Sequence, residues 1–409
     1  MTVIPLNREA EHAEQAEQVA PPHSSTARYP LGWLRGLAAL CVVFFHSYQH
    51  NRDPETWAWP FSGAAHQAML GTDLFVDMFF VLSGLVLWLP AARSCVDGTT
   101  GRPGRVLLLR RMARLLPLYY AIVLVVWAAT NPALPGHWQD LLLHLSFTQI
   151  YSDRYIFWTD GPAWSLAVEF HFYLLMALAV PLVNAAAART PGRRGRIGVA
   201  SALPALCAAI GAGYLLWATV LTEHDETAWS VWFAAPSRGV DFGLGMGLAV
   251  LIAAGVRLGP AARRMLGVAG LAGLGVLVMT RPFDVPAASE WWHPLYSLAV
   301  VTLLAGVVLH EGPWSRWFDW RPLAFVGTLG YGVYLIHEPV MRYAGHVGLL
   351  PDPRPGWFFV WTAVVVAVPS LALAWVSSRT LEPAGLRLLA TMDRRGRPRD
   401  YYDHLAGRE

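Results

Sequence analysis

Hydrophobic residues run along this chain in blocks rather than in alternation. Ten stretches lie at 31–50, 68–90, 106–129, 163–186, 197–220, 229–254, 264–280, 292–310, 323–347 and 357–378. Each approaches the roughly 20 apolar residues that a helix needs to cross a bilayer. The connectors between them carry turn and breaker residues: NRDPETWAWP, GTTGRPG, RTPGRRGR, RPFDVPAASE, EGPWSRWFDWRP and PDPRPG. The pattern predicts an all-α polytopic membrane protein with about ten transmembrane helices. The longest outer segment, 130–162, contains DLLLHLSFTQIY, which reads as a short amphipathic helix lying on the outer face. Residues 1–29 are polar, lack a basic-then-apolar signal pattern, and read as a disordered cytosolic tail. Residues 30–380 form the membrane domain, and 381–409 read as a basic cytosolic tail. No internal repeat is visible.

Composition agrees with this reading. The chain has 409 residues, of which 55% are hydrophobic and only 14% charged, with mean hydropathy +0.38. A soluble domain carries roughly 25% charged residues, so most of the chain belongs in lipid. The formal charge of +3 is too small to suggest nucleic acid. All 31 basic residues are arginine, which excludes a lysine Schiff base and the phosphate-loop lysine. Cys41, Cys95 and Cys207 are scattered, with neither metal spacing nor a disulfide framework; no metal is required. With the N-terminus inside, 24 arginines fall on inner segments, five on outer ones (Arg52, Arg154, Arg281, Arg342, Arg354) and two, Arg35 and Arg238, within spans. That bias places both termini in the cytosol. Trp57, Trp59, Trp229, Trp291, Trp292 and Trp357 fit an interfacial aromatic belt.

Against this background the ionisable residues inside the spans stand out. Arg35 and His46 share the stretch RGLAALCVVFFH, and Asp77, Glu169, Arg238, Asp241 and His337 lie in other spans. Charged groups within a bilayer are costly and persist mainly where they face a polar cavity. At 1.5 Å per residue, His46 lies about 16 Å outward of Arg35, and Glu169 about 9 Å below the outer end of its span. His337 lies about 21 Å from the inner end of its own span, and Asp77 at a similar outer depth. Four proton-active groups from four helices therefore share one layer if those helices are neighbours. Arg110, Arg111 and Arg114 open the third span at the level of Arg35. The picture is an anion site inside and an acid–base site in the outer half. Blander readings exist for each residue. A lone intramembrane histidine is often a helix–helix hydrogen-bond partner. Loop arginines follow from topology alone. Arg238 and Asp241 stand three apart and can neutralise each other, and Asp73 with Asp77 can line a wet vestibule.

Five pieces, in order, carry a resemblance: RGLAALCVVFFH, DMFFVLSGLVL, RRMARLLPLYY, WSLAVEFHFYLL and LGYGVYLIHEPV. Together they resemble the acyltransferase 3 family of integral membrane acyltransferases, over roughly residues 31–380. The resemblance implies an O-acyltransferase of the multi-pass plasma membrane. It would move an acyl group, acetyl by expectation, from cytosolic acyl-CoA to a hydroxyl of a carbohydrate or glycosylated acceptor, such as a surface glycan or secondary metabolite. Acyl-CoA enters as donor substrate, and no cofactor is bound permanently. The family's helix 1 arginine and histidine fall on Arg35 and His46, and its helix 3 arginines on Arg111 and Arg114, with Arg110 adjacent. The chain departs from the pattern at Phe170 and His171, where a second acid or Gln is common, and at Gly332, where serine is common. No further soluble domain follows the last span, so a one-domain transfer mechanism is expected.

An alcohol is a poor nucleophile until a base removes its proton, and histidine is suited to the task near neutral pH. The expected assignment makes His46 the base and Glu169 or Asp77 the carboxylate that fixes its tautomer. His337 is a second acid–base group or an acceptor anchor. Arg35, Arg110, Arg111 and Arg114 hold CoA phosphates. Ser83 and Ser165 are the candidates for a covalent acyl intermediate. The competing class is a proton-coupled transporter of a polar small molecule, which intramembrane histidines and acids also suit, although such carriers often show internal repeats. A non-catalytic scaffold or acyl-CoA sensor is a third class, in which His46 is dispensable.

Overall fold

The computed structural model describes residues 31–283, 285–310 and 320–394. The N-terminal tail 1–29, Arg316 and the end of the C-terminal tail lie outside the described residues. What is described is helical, without strands. In chain order the helices are α1 (Gly32–His50), α2 (Gly63–Leu70), α3 (Phe75–Asp97), α4 (Gly104–Thr130), α5 (Trp138–Leu145), α6 (Ala163–Arg189), α7 (Arg193–Leu216) and α8 (Trp229–Trp232). There follow α9 (Gly239–Ala253), α10 (Pro260–Thr280), α11 (Pro286–Glu290), α12 (Trp292–Val308), α13 (Arg321–His346), α14 (Phe358–Arg379) and α15 (Leu381–Arg394).

Each predicted hydrophobic stretch falls on helix. Seven helical stretches are long and apolar enough to cross a membrane: Gly63–Asp97, Gly104–Thr130, Ala163–Arg189, Arg193–Leu221, Pro260–Thr280, Ala287–Val308 and Phe358–Thr391. The remaining three helices are the ones that departed from pure apolarity in the sequence. α1 carries Arg35 and His46, α13 carries His337, Glu338 and Arg342, and α9 is only 15 residues long. The predicted stretch 229–254 is broken into α8, a 3₁₀ turn Ala235–Arg238 and α9, because Pro236 offers no N–H to a continuous helix. α3 ends where Gly98 takes φ +71°, which lets the Thr99 N–H reach the Ser94 carbonyl at 2.9 Å, a Schellman-type stop. The expected amphipathic outer segment is α5, and it is pinned down: Asp140 and His144 are buried, and the Tyr119 hydroxyl donates to the His144 carbonyl at 2.8 Å. The region expected as a tail from 381 begins as α15, docked on α4.

Apolar side chains face outward as well as inward. Leu178 and Met265 are 73% and 71% exposed, and α10 buries only Gly270. An apolar exterior belongs in hydrocarbon, where helices satisfy their own backbone. This is a multi-pass membrane protein. In lipid, helices associate by close packing of small residues and by polar contacts. Two such seams position the site. Against α3, a Cβ on Gly84 would lie 2.5 Å from the Phe242 carbonyl oxygen of α9. Between α1 and α13, a Cβ on Gly36 would strike the Leu323 carbonyl, and one on Gly327 the Gly32 carbonyl. These two pairs are among the most intimate helix contacts in the molecule.

Candidate active site

The α1–α13 seam brings two histidines together. From Gly36 opposite Gly327, ten residues along each helix lead to His46 and His337. Their ring centroids are 5.1 Å apart with the planes tilted by 44°. His337 is fully buried, and its Nδ1 lies 2.6 Å from the Tyr334 carbonyl and 3.2 Å from the Val333 carbonyl. A carbonyl only accepts, so Nδ1 carries the proton and Nε2 keeps a lone pair. That Nε2 has no hydrogen-bond partner among the described residues. His46 is half-buried, edged by the Phe45 ring and approached by the Gln49 side chain one turn on. Pro339 follows within α13 and cannot donate to the Leu335 carbonyl.

Below the histidines, Ser165 of α6 donates to the Tyr334 hydroxyl at 2.8 Å. Glu169, one turn inward on α6, accepts from Ser83 of α3 and from the Tyr173 hydroxyl, the latter at 2.6 Å. It lies in the field of Arg35, which also feels the positive charges of Arg111 and Arg114. The Arg111 guanidinium stands 5.8 Å from the Tyr173 ring centroid, and Arg114 Nε lies 3.1 Å from Glu382 of α15. Arg110 is half-buried beside them on α4. Three arginines held close enough to repel one another, against the two carboxylates of Glu169 and Glu382, make a net positive cluster suited to an anion.

The predicted residues therefore divide into three groups rather than one layer. His46 and His337 meet. Glu169 stands with Arg35, Arg111 and Arg114. Asp77 is elsewhere, in a separate buried network. It accepts from His293 Nδ1 at 2.7 Å, and Arg238 Nε is 3.9 Å away. The Arg281 guanidinium donates to His293 Nε2 at 3.2 Å, to Ser289 at 2.7 Å, and to Asp73. Arg238 pairs with Glu290 at 3.2 Å, and Asp241 sits beside Asp77 and Ser297. Neutral His293 thus accepts at Nε2 and donates at Nδ1, so the network is a wired electrostatic joint between α3, α9, α12 and the 281–290 connector. The sequence reading missed His293, Glu290 and Tyr334. The first lies at the very start of an apolar stretch, and Arg281 and Glu290 bracket what reads as an ordinary connector.

Further along α13 from His337, Arg342 donates to the carbonyls of Phe157, Trp158 and Thr159 at 3.0–3.3 Å, and pairs with Glu338. It straps the 152–162 loop to α13. Asp160 in that loop is fully buried, with neither carboxylate oxygen hydrogen-bonded among the described residues. Burial first, then the charge of Glu338, holds its carboxyl well above the usual range, against the pull of Arg342.

The described helices thus place a histidine pair and an arginine cluster within one helical membrane bundle. The chain belongs to the acyltransferase 3 family: the family model described as an acyltransferase domain matches residues 29–379. It is similar to the acyltransferase MdmB of Streptomyces mycarofaciens, 28% identical over 366 residues, covering 84% of this chain and 86% of that protein. It is also similar to the peptidoglycan O-acetyltransferase OatA of Listeria monocytogenes, 25% identical over 378 residues, with 85% of this chain and 54% of the other covered. The putative peptidoglycan O-acetyltransferase YrhL of Bacillus subtilis is 24% identical over 387 residues, with 86% and 54% covered. The chain spans about half the length of these two peptidoglycan enzymes. No solved structure matches it significantly.

Proposed function

We propose that this acyltransferase uses cytosolic acyl-CoA, with acetyl as the acyl group, to esterify a hydroxyl of a carbohydrate or glycosylated acceptor. The observation that carries the reading is the His46–His337 pair, with an Nε2 that has no partner among the described residues, in one bundle with an arginine cluster. In this scheme ten helices cross the plasma membrane and both termini are cytosolic. Arg35, Arg111 and Arg114, with Arg110 beside them, hold the CoA phosphates, and Glu169 fixes the arginine geometry. The thioester then points outward along α1 toward the histidines. His46, the more accessible of the two rings, takes the acceptor's hydroxyl proton. His337 steadies His46 and shares the proton through its open Nε2. Asp77 acts at a distance, by holding the outer helices in place. The relatives named as peptidoglycan O-acetyltransferases support a glycan acceptor, and MdmB, matched over 86% of its length, supports the acyltransferase reading.

The test is transfer of radiolabelled acetyl from acetyl-CoA by the purified protein in detergent to a panel of methyl glycosides. Wild type should release CoA thiol and label at least one glycoside. His46→Ala should lower turnover by about 10²–10⁴-fold, the usual contribution of a positioned proton acceptor, with CoA binding retained. Wild type that binds no CoA and labels nothing would remove the reading, and near-normal turnover by His46→Ala would remove His46 from the chemistry.

A further inference from the structure

Between the arginine cluster and the histidine pair stands one hydroxyl whose proton has no acceptor among the described residues. Tyr334 is buried on α13, one turn inward of His337, with ring centroids 6.0 Å apart. Its ring is edged by Phe79 of α3 at 5.8 Å. Its oxygen accepts from Ser165 at 2.8 Å. A phenol carries one donor beside its acceptor sites, and the Tyr334 proton has no acceptor among the described residues. The oxygen lies within the field of both Glu169 on one side and Asp160 with Glu338 on the other. It therefore sits between the arginine cluster and the histidine pair, where a donor anchored on the arginines and attacked near the histidines presents its carbonyl. The Ser165–Tyr334 bond also joins α6 to α13, which fixes the direction of the phenol.

We propose that Tyr334 is a catalytic residue, the hydrogen-bond donor to the thioester carbonyl oxygen, and that Ser165 is its positioning residue. This rests on the acyl-CoA reading above. The acceptor oxygen forms a bond to the carbonyl carbon, its proton passes to the histidine pair, and the carbonyl π electrons move onto oxygen. The Tyr334 O–H donates to that oxyanion. Collapse restores the carbonyl, breaks the carbon–sulfur bond and sends its electron pair to sulfur. The sulfur takes the proton back from the histidine pair and leaves as the CoA thiol. A donor fixed where charge develops costs no reorganisation at the moment of reaction. Ser165, already donating to Tyr334 and with no histidine contact among those described, polarises that donor; it is not the nucleophile.

The experiment compares CoA with its S-trifluoroacetonyl derivative, whose ketone hydrates to a tetrahedral centre with an acidic oxygen. Transition-state mimics gain from donors that the ground state does not use. Wild type should bind the derivative more tightly than CoA, by about tenfold or more. Tyr334→Phe should bring the two affinities together, leave CoA affinity unchanged and lower kcat for acetyl transfer by about 10²–10³-fold. Ser165→Ala, the gentler variant, should lower the preference by about threefold or more and serves alone if Tyr334→Phe fails to fold in a thermal melt. A preference retained in the variants overturns the inference, as does loss of CoA affinity equal to loss of the derivative. Wild type that binds no CoA defeats the functional reading itself, a separate result.

Discussion

At the scale of single residues, the membrane interior turns hydrogen bonds to backbone carbonyls into instructions. His337 is told which nitrogen to protonate by the Tyr334 carbonyl, and no carboxylate is needed for that task. Asp160 carries a different consequence. Its carboxyl is held well above the usual range by burial, with Glu338 adding to the effect and Arg342 opposing it. The unfolded chain therefore releases this proton at a lower pH than the folded one. Stability is intact below about pH 4, the unfolded value, and falls as pH rises from there toward the folded pKa. Asp160→Asn removes that loss. In thermal melts the variant should exceed wild type by a margin that widens from pH 5 to pH 8; a constant or shrinking margin would show that Asp160 is ionised in place. His46 and His337 were legible in the sequence because axial rise converts residue number into depth. The surroundings of Asp77 were not, because depth says nothing about which helices stand side by side. His293 and Arg281, its partners, come from more than 200 residues away in the chain.

At the scale of elements, most helix positions were legible to within a few residues because hydrocarbon thickness imposes a length, whereas α3, at Phe75–Asp97, runs seven residues later than the predicted 68–90. The break at Pro236 was not, since the apolar run continues through it and only the missing N–H interrupts the ladder. Nor was the docking of α15, an amphipathic helix that meets α4 through Glu382 and a close approach of Gly385 to the Ala113 carbonyl. That docking competes with the proposed donor. Glu382 occupies Arg114, whose side chain is nearly half exposed, and such a pair is worth only about 0–1 kcal/mol. Opposite effects should follow at its two ends. Glu382→Gln frees the guanidinium and should raise CoA affinity by about two- to fivefold, whereas Arg114→Ala should lower it by about tenfold or more, the value of a charge-assisted hydrogen bond. Titration of CoA into the purified variants at fixed salt reads both. Changes in the same direction would mean that α15 supports the arginine cluster sterically rather than electrostatically.

At the scale of the whole molecule, the fold is two kinds of bundle work joined in one. A buried ionic joint holds α3, α9 and α12, and glycine seams hold α3 to α9 and α1 to α13. The class of fold was plain from hydropathy, but the division of labour was not, because glycine inside a span looks like any small apolar residue until its neighbour is known. The α1–α13 seam gives the sharpest prediction. Gly36→Ala places a methyl against the Leu323 carbonyl, about 15 Å from the imidazoles along the helix. It should lower acetyl transfer by about tenfold or more while leaving CoA affinity nearly unchanged; transfer at the wild-type rate in a folded variant would show that the two helices separate without disturbing the pair.

The seam acts as a fulcrum. Two parallel rods clamped at one end convert a wedge at the clamp into a gap at the tips. A splay of about 5° over about 15 Å opens the imidazoles by about 1.3 Å, enough to cost roughly a hundredfold in a reaction that depends on near-attack geometry. The tolerance of the chemistry is thus written in backbone atoms that never meet either substrate, and the most rate-sensitive positions in the chain need not be near the bond that breaks.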